Sequence, residues 1–321
     1  MKRVKGNKGL FRMLDARQLG LKLLANVTYG YTSASFSGRM PCVDIADSIV
    51  QTGRDTLEKA IRLVNSTTKW GAEVVYGDTD SMFVLVKGAS RERAFEVGQE
   101  IADAVTAMNP PPVKLQLEKV YHPSILVSKK RYVGYKYESK HETQPVFEAK
   151  GIETVRRDSC PAVAKILRKS VEIMFKTKDI SVLKDYLQKQ WKKIHLGKVS
   201  LEDFVFRKEV KLGTYAVGKV IPPAALVSTK MLHQDPRAEP TYGERVPYVV
   251  VAGPASARLI DLVHHPSTIL KNPNEYQLHS LYYITKQINP ALNRLFQPLN
   301  ININQWYALL PKTLRDFKHH P

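Results

Sequence analysis

The sequence predicts an α+β chain in which helices and antiparallel hairpins alternate early and a largely helical part follows. Three observations predict it. Apolar residues recur at helical spacing from Met13 to about Tyr29 and again through "CVDIADSIVQTGRDTLEKAIRLVNSTTKW". Two strand-forming runs, "EVVY" and "SMFVLV", flank a short acidic turn. Beyond residue 156 the texture becomes lysine-rich and helical, with Pro-rich loops between short apolar segments. At 321 residues the chain is too long for one small core, so two domains, or one large domain with an appendage, are expected.

Taken in order, the first helix carries Leu19, Leu23, Leu24 and Val27 and is expected to stop at Gly30. The second helix is expected to be the longer one, with Leu57, Ile61 and Val64 on one face. The hairpin follows, with Gly77 supplying the turn geometry. Residues 91 to 108 form an amphipathic helix ending before "NPPPV", and "VKLQLEKVYHPSILVSKKRYVGYKYES" alternates with the period of paired strands. A boundary is expected near residue 156, after which "AVAKILRKSVEIMFKTKDISVLKDYLQKQWKKIHLGK" is helical.

Charge narrows the class of partner. Lys and Arg number 49 against 30 Asp and Glu, a formal net charge of +19. A balance that far from neutral points to a polyanion, with nucleic acid first. No apolar run approaches the roughly 20 residues of a membrane span, so a soluble protein is expected. Cys42 and Cys160 are far apart and outside any C-x-x-C pattern, which supports neither a disulfide framework nor a zinc or iron-sulfur site.

Against this basic background, "GDTD" puts Asp78 and Asp80 two residues apart. In a strand-like backbone both would point the same way and could face one hard divalent cation. The bland alternative is an acidic turn selected for backbone geometry. A calcium loop would need a Glu at the twelfth position, and Ala89 stands there. On the first helix Asp15, Gln18, Lys22, Asn26 and Tyr29 share a face, either as a solvated stripe or as a triphosphate surface with Lys22 as point charge.

These stretches carry a resemblance. "KLLANVTYG" resembles the Lys-x-x-x-Asn-Ser-x-Tyr-Gly motif of family B DNA polymerases, "YGDTDS" their second catalytic palm motif, and "SKKRY" and "KGIETVRRDSCP" further motifs, all in the family's order. With "GERVPYVVV" and "YYITKQINPAL" the likeness covers nearly the whole chain. The wording of "GYTSASFSGRMPC" and "VYGDTDSMFVLVKGA" is most like members that extend primers past damaged template, which implies translesion synthesis.

The resemblance implies residues 1–30 as the end of the fingers, 31–155 as an antiparallel-sheet palm, and 156–321 as a thumb with a carboxyl-terminal extension. It implies Asp80 as ligand of two Mg2+ ions with Asp78 in support, and Lys22, Asn26 and Tyr29 at the incoming deoxynucleoside triphosphate and nascent base pair. Lys129, Lys130, Arg131 and Tyr132 would follow the primer–template duplex, and Arg156 and Arg157 would lie near its backbone. Glu118 would sit on a strand near the metals as an accessory ligand. Each has a local alternative: a solvated basic cluster for "KKR", an internal salt bridge to Asp158 or Glu153 for the arginine pair, and a strand-edge charge for Glu118. The resemblance also implies a nuclear location and accessory subunits.

One departure matters. The family's other metal-binding aspartate, in a motif ending Tyr-Pro, has no counterpart in this sequence, and Val27 replaces the usual serine. The expectation is therefore a piece of a polymerase core, inactive by itself. A noncatalytic DNA-binding or scaffold fragment is the alternative.

Overall fold

A computed structural model describes residues 6–34, 38, 40–216, 220–254 and 256–311. The chain separates into two compact units, Met1–Val120 with Glu138–Glu142, and Tyr121–Tyr137 with Thr143–Pro321. Each has its own core. The architecture is α+β, as the sequence predicts. The division near residue 120 is one of packing and follows different lines from the fingers, palm and thumb expected above.

In the first unit, α1 (Lys8–Ser33) starts where the Asn7 side chain accepts the Leu10 N–H at 3.1 Å. It runs through Gly30, whose carbonyl accepts the Ala34 N–H, so Gly30 is no stop. A glycine within a helix costs about 1 kcal/mol but terminates it only when the backbone turns left-handed. No residue of α1 is buried, and Leu21 and Leu24 are 69% and 66% exposed. Helix α2 (Val43–Ser66) is slightly shorter than α1, 24 residues against 26.

Strands β1 (Ala72–Asp78) and β2 (Ser81–Val86) pair antiparallel, and α3 (Arg91–Ala107) follows, capped by the Ser90 hydroxyl. Ala60 and Val64 of α2, Val97, Ile101 and Val105 of α3, and Trp70 form the core that covers one face of the hairpin. The Trp70 indole N–H donates to Glu100 at 2.9 Å, so this large ring is buried with its polar atom satisfied. The alternating stretch at 113–119 forms no ladder. It is tied to α3 instead, the Leu115 N–H donating to the Thr106 hydroxyl at 3.0 Å and that hydroxyl lying 3.3 Å from the Leu115 carbonyl.

In the second unit, β3 (Val120–Ser128), β4 (Arg131–Tyr137) and β5 (Val146–Lys150) make a three-stranded sheet in that order. Helices α4 (Pro161–Thr177) and α5 (Ile180–His195) bury Leu167, Val171, Leu183, Leu187 and Trp191. A second sheet, unanticipated from the sequence, joins β6 (Phe206–Glu209), β7 (Arg245–Val250) and β8 (Val263–His264). Helix α6 (Pro223–Gln234) lies between β6 and β7 in sequence, and α7 (Pro266–Lys271) follows β8.

The "YYITKQINPAL" segment is α8 (Ser280–Tyr282), a π-helical turn (Tyr283–Ile288) and α9 (Asn289–Phe296), and α10 (Ile303–Ala308) follows. The π turn places Tyr283 in the core. Its hydroxyl donates to the Phe204 carbonyl at 2.8 Å and accepts the Val250 N–H at 3.0 Å. Burial pushes that phenol up. Trp191 donates to Asn289 at 3.0 Å, and His195 lies between the Tyr307 and Ser280 hydroxyls.

Candidate functional site

The acidic turn is tighter than its sequence suggests. Gly77 and Asp78 belong to β1, leaving only Thr79 and Asp80 to connect the strands. The Asp80 N–H donates to the Asp78 carbonyl at 2.6 Å around Thr79, whose φ is 52°. This is a γ-turn of the strained kind, at a β-branched residue. Gly77 does not make the turn, and a side chain there would meet only ordinary contacts. A Cβ there would lie 3.6 Å from Leu57 and Ile61 of α2.

Because Asp80 lies in the turn, the expectation that strand alternation aligns it with Asp78 does not apply. What aims Asp78 is a β-bulge. Val74 pairs with Val84 but Tyr76 pairs with Phe83, so Val75 is an extra residue. Ahead of the bulge Ala72 and Val74 face α2 and α3, and beyond it Gly77 shares that face with Met82. Tyr76 and Asp78 thereby stand on the opposite face, where the Tyr76 and Phe83 rings lie 5.6 Å apart. Without the bulge those two side chains would point into the helical layer. Asp78 is half-buried and Asp80 exposed.

The other candidates in this unit are placed as follows. Lys22, Asn26 and Tyr29 are all exposed on α1, and Tyr29 is 40% accessible. Glu118 is exposed in the ladder-free stretch before β3, so it is not on a strand as expected. Among the described residues no group of three or more His, Cys, Asp and Glu gathers at one point. The hairpin thus offers two hard carboxylate donors, chemistry that fits Mg2+, as part of a coordination shell.

In the second unit the "SKKRY" motif is a hairpin tip. Lys129 and Lys130 are the two connecting residues, both exposed, and Lys130 has a φ of 60°. Gly151 presses against this tip. Its φ is 65°, and a Cβ there would stand 2.2 Å from the Lys130 carbonyl oxygen. Only glycine satisfies both constraints.

Arg131 is committed inward. Its Nε–H donates to the Gly151 carbonyl at 3.2 Å, and its guanidinium pairs with Glu153 at 3.3 Å. Glu153, with its side chain 14% exposed, also binds Arg294 of α9 at 2.7 Å. Tyr132 is half-buried edge-on to Tyr121, whose hydroxyl donates to Glu148 at 2.7 Å. Arg156 grips Asp158 with both nitrogens, at 2.9 and 2.5 Å. That pairing holds the Asp158 carboxyl down at about 2. Arg157 is exposed and its carbonyl accepts from Arg245 at 3.3 Å. Of the two internal partners expected for the arginine pair, Asp158 takes Arg156, while Glu153 serves Arg131 and Arg294.

Sequence reasoning missed Glu153 as a bridge, Gly151 as a spacer and Val75 as a bulge. The first had no local signal, since Arg294 lies 141 positions away. The adjacent "KG" could have suggested the second.

Comparison with known proteins shows the family. The sequence profile described as DNA polymerase family B matches residues 1–299. The DNA polymerase zeta catalytic subunit of Arabidopsis thaliana is 58% identical over 308 residues, 95% of this chain and 16% of that protein. The one from Homo sapiens is 58% identical over 313 residues, 97% of this chain and 10% of that protein. That of Saccharomyces cerevisiae is 54% identical over 309 residues, covering 96% and 20%. The chain therefore spans a fifth or less of each of these three curated relatives. With a family profile matched across nearly all its length, on the very motifs that form the acidic hairpin and the basic tip, the chain belongs to DNA polymerase family B.

Proposed function

We propose that this chain supplies part of the catalytic core of a DNA-directed DNA polymerase of the zeta type, joining deoxynucleotides to a primer end on a template in translesion synthesis. The observation that carries this reading is the hairpin: a strained turn and a bulge that turn Asp78 away from the helical layer, with Asp80 at the tip. Strain held at a rigid position is a feature of functional sites.

Asp80 and Asp78 would hold Mg2+. When bound, the two ions supply Lewis-acid stabilisation of the attacking and leaving oxygens. Lys22 would meet the triphosphate as a point charge, with Asn26 and Tyr29 against the nascent pair. Lys129 and Lys130, held out at a tip that Gly151 and Glu153 brace from behind, would track the duplex near its growing end. Arg131 would act through that brace. Tyr132 and Arg157 would complete the duplex contacts, and Arg156 would keep Asp158 neutralised beside them.

The division of sign supports a polyanion on selected faces only. A groove of about 600 Å3 in the first unit is lined by Glu96, Glu100, Asp103 and Glu138 together with Lys140, with Glu96 and Glu100 paired to Arg93. A nuclear location and accessory subunits belong to the same proposal. No helix among the described residues is long and apolar enough to cross a membrane.

The metal donor set, two carboxylates from one hairpin, favours a second statement. The 321-residue chain binds primer–template but does not extend it, because a two-ion site needs more ligands than these. Fluorescence titration with duplex DNA from 50 to 200 mM salt, beside a primer-extension assay with Mg2+, tests both. Tight, salt-sensitive binding without extension is expected. Salt-insensitive binding refutes the electrostatic reading, and extension by the purified chain refutes the incomplete site.

A further inference from the structure

One ring ties together the three strands of the β3–β4–β5 sheet. Tyr121, in β3, lies edge-on to Tyr132 of β4, their centroids 5.9 Å apart and their planes at 68°. Its hydroxyl reaches past β4 and donates to the Glu148 carboxylate on β5 at 2.7 Å. Gly134 of β4 is the cross-strand partner of Glu148 and stands two residues on from Tyr132, so Tyr132, Gly134 and Glu148 share one face. A Cβ at Gly134 would stand 2.7 Å from Tyr121 Cδ1 and 3.2 Å from the Pro123 carbonyl oxygen. The glycine is therefore the gap through which the phenol crosses from the first strand of the sheet to the third.

Packing alone does not require the hydroxyl. A phenylalanine would fill the same space without a carboxylate at its far end. Glu148 has its side chain 17% exposed and lies 3.8 Å from the Lys150 ammonium as well. Burial, with the Glu148 carboxylate beside it, pushes the Tyr121 phenol up, so it keeps its proton and goes on donating at neutral pH. A ring held at its Cβ by the backbone and at its hydroxyl by a charge-assisted bond has one orientation. Edge-to-face aromatic pairs depend on angle, so that orientation constrains Tyr132, the residue directly after Arg131 in the basic motif.

We propose that Tyr121 is a positioning residue for duplex binding: with Glu148 as its anchor and Gly134 as its passage, it sets the tilt of the Tyr132 ring before DNA arrives. The proposal rests on the reading of Tyr132 as a duplex contact and goes beyond it, because Tyr121, Gly134 and Glu148 act without touching the DNA. Preorganisation of this kind removes the ordering of a side chain from the free energy that association must supply. Its effect on affinity passes through one residue, so its signature is coupling between Tyr121 and Tyr132.

The test is a duplex-binding titration of the full chain at fixed salt, beside urea unfolding, on a cycle of Tyr121 and Tyr132 variants. Tyr121→Phe keeps the ring and removes the bond to Glu148, and it should weaken duplex binding roughly two- to tenfold, the net contribution of one hydrogen bond. In a Tyr132→Ala background the same change should weaken binding no further, since no ring is left to orient. Gly134→Ala displaces the Tyr121 ring with its hydroxyl intact, and its loss of affinity should likewise vanish without Tyr132. The urea curves show that each variant is folded, and a merely structural role would move them without any coupling in affinity. Equal losses in the two backgrounds, or full affinity in Tyr121→Phe while Tyr132→Ala binds weakly, overturn the positioning role and leave the polymerase reading in place. If Tyr132→Ala itself binds as tightly as the parent chain, the assignment of Tyr132 to the duplex falls and the positioning role with it. Absence of duplex binding by the unsubstituted chain overturns the polymerase reading itself.

Discussion

Replacing Gly151 with alanine should be among the most damaging one-carbon changes in the second unit. A φ of 65° costs an L-residue about 1 to 2 kcal/mol before any contact is considered. The new Cβ would then stand 2.2 Å from the Lys130 carbonyl oxygen and 3.1 Å from Arg131 Cγ. A backbone oxygen cannot rotate away as a flexible side chain would, so the Lys129–Lys130 tip has to move by about an ångström. That displacement strains the Arg131 bond to the Gly151 carbonyl and the Arg131–Glu153 pair. Hydrogen bonds to charged groups are worth about 1.5 to 3 kcal/mol each, and partial loss brings the expected destabilisation to about 3 kcal/mol. Urea denaturation measures it. With a slope of about 1 to 3 kcal/mol/M, the midpoint should fall by roughly 1 to 3 M at constant slope. Gly151→Ala combined with Glu153→Gln should cost less than the sum of the two, since both act on one brace. A loss below about 1 kcal/mol, or strict additivity, refutes the argument that Gly151 is a spacer for the tip.

The remaining predictions concern the site and the Arg156 pair. In the full-length protein, Asp80→Asn should nearly abolish turnover while sparing duplex affinity, because it removes charge where cations sit and leaves the basic surfaces intact. Primer-extension kinetics beside a binding titration decide this, and parallel loss of both would contradict it. Lys22→Ala should lower kcat/KM for nucleotide by about ten- to more than a hundredfold, the worth of one charge-assisted contact, with primer affinity unchanged. For Asp158 the folded carboxyl titrates near 2, below its ordinary value, so its pairing stabilises at neutral pH and the contribution disappears as pH falls from about 4 towards 2. Both partners are about half exposed, so solvent screening limits Arg156→Ala to less than about 1 kcal/mol at pH 7. The difference in stability between wild type and this variant should be smaller at pH 2.5 than at pH 7, and should vanish only below about pH 2.

Elements whose signal is local were legible. The core faces of α2 and α3 follow from apolar spacing, and the hairpin follows from two β-branched and aromatic runs around an acidic turn. What the sequence left hidden was set by partners distant in the chain or by counting. Gly77 looked like the turn glycine, yet it lies within β1 and the positive φ fell on Thr79. Residues 113–119 alternate like a strand but have no strand beside them, since the Thr106 hydroxyl takes the Leu115 backbone instead. The Glu153 bridge to Arg131 and Arg294 joins three segments that no periodicity connects. The motif residues themselves, by contrast, stood out through the family resemblance, and the structure shows Arg131 paired with Glu153 and Arg156 with Asp158.

Val75 contributes little through its own chemistry, being an exposed valine at the edge of a ladder. Its effect is arithmetical. Side chains in a strand alternate like odd and even numbers, and one added residue converts every later position from one class to the other. The orientation of Asp78 therefore depends on Val75 being left out of the pairing. Deleting Val75 would leave Val74 opposite Val84 and Tyr76 opposite Phe83, so Asp78 would keep its face, whereas pairing Val75 into the ladder would turn Asp78 inward.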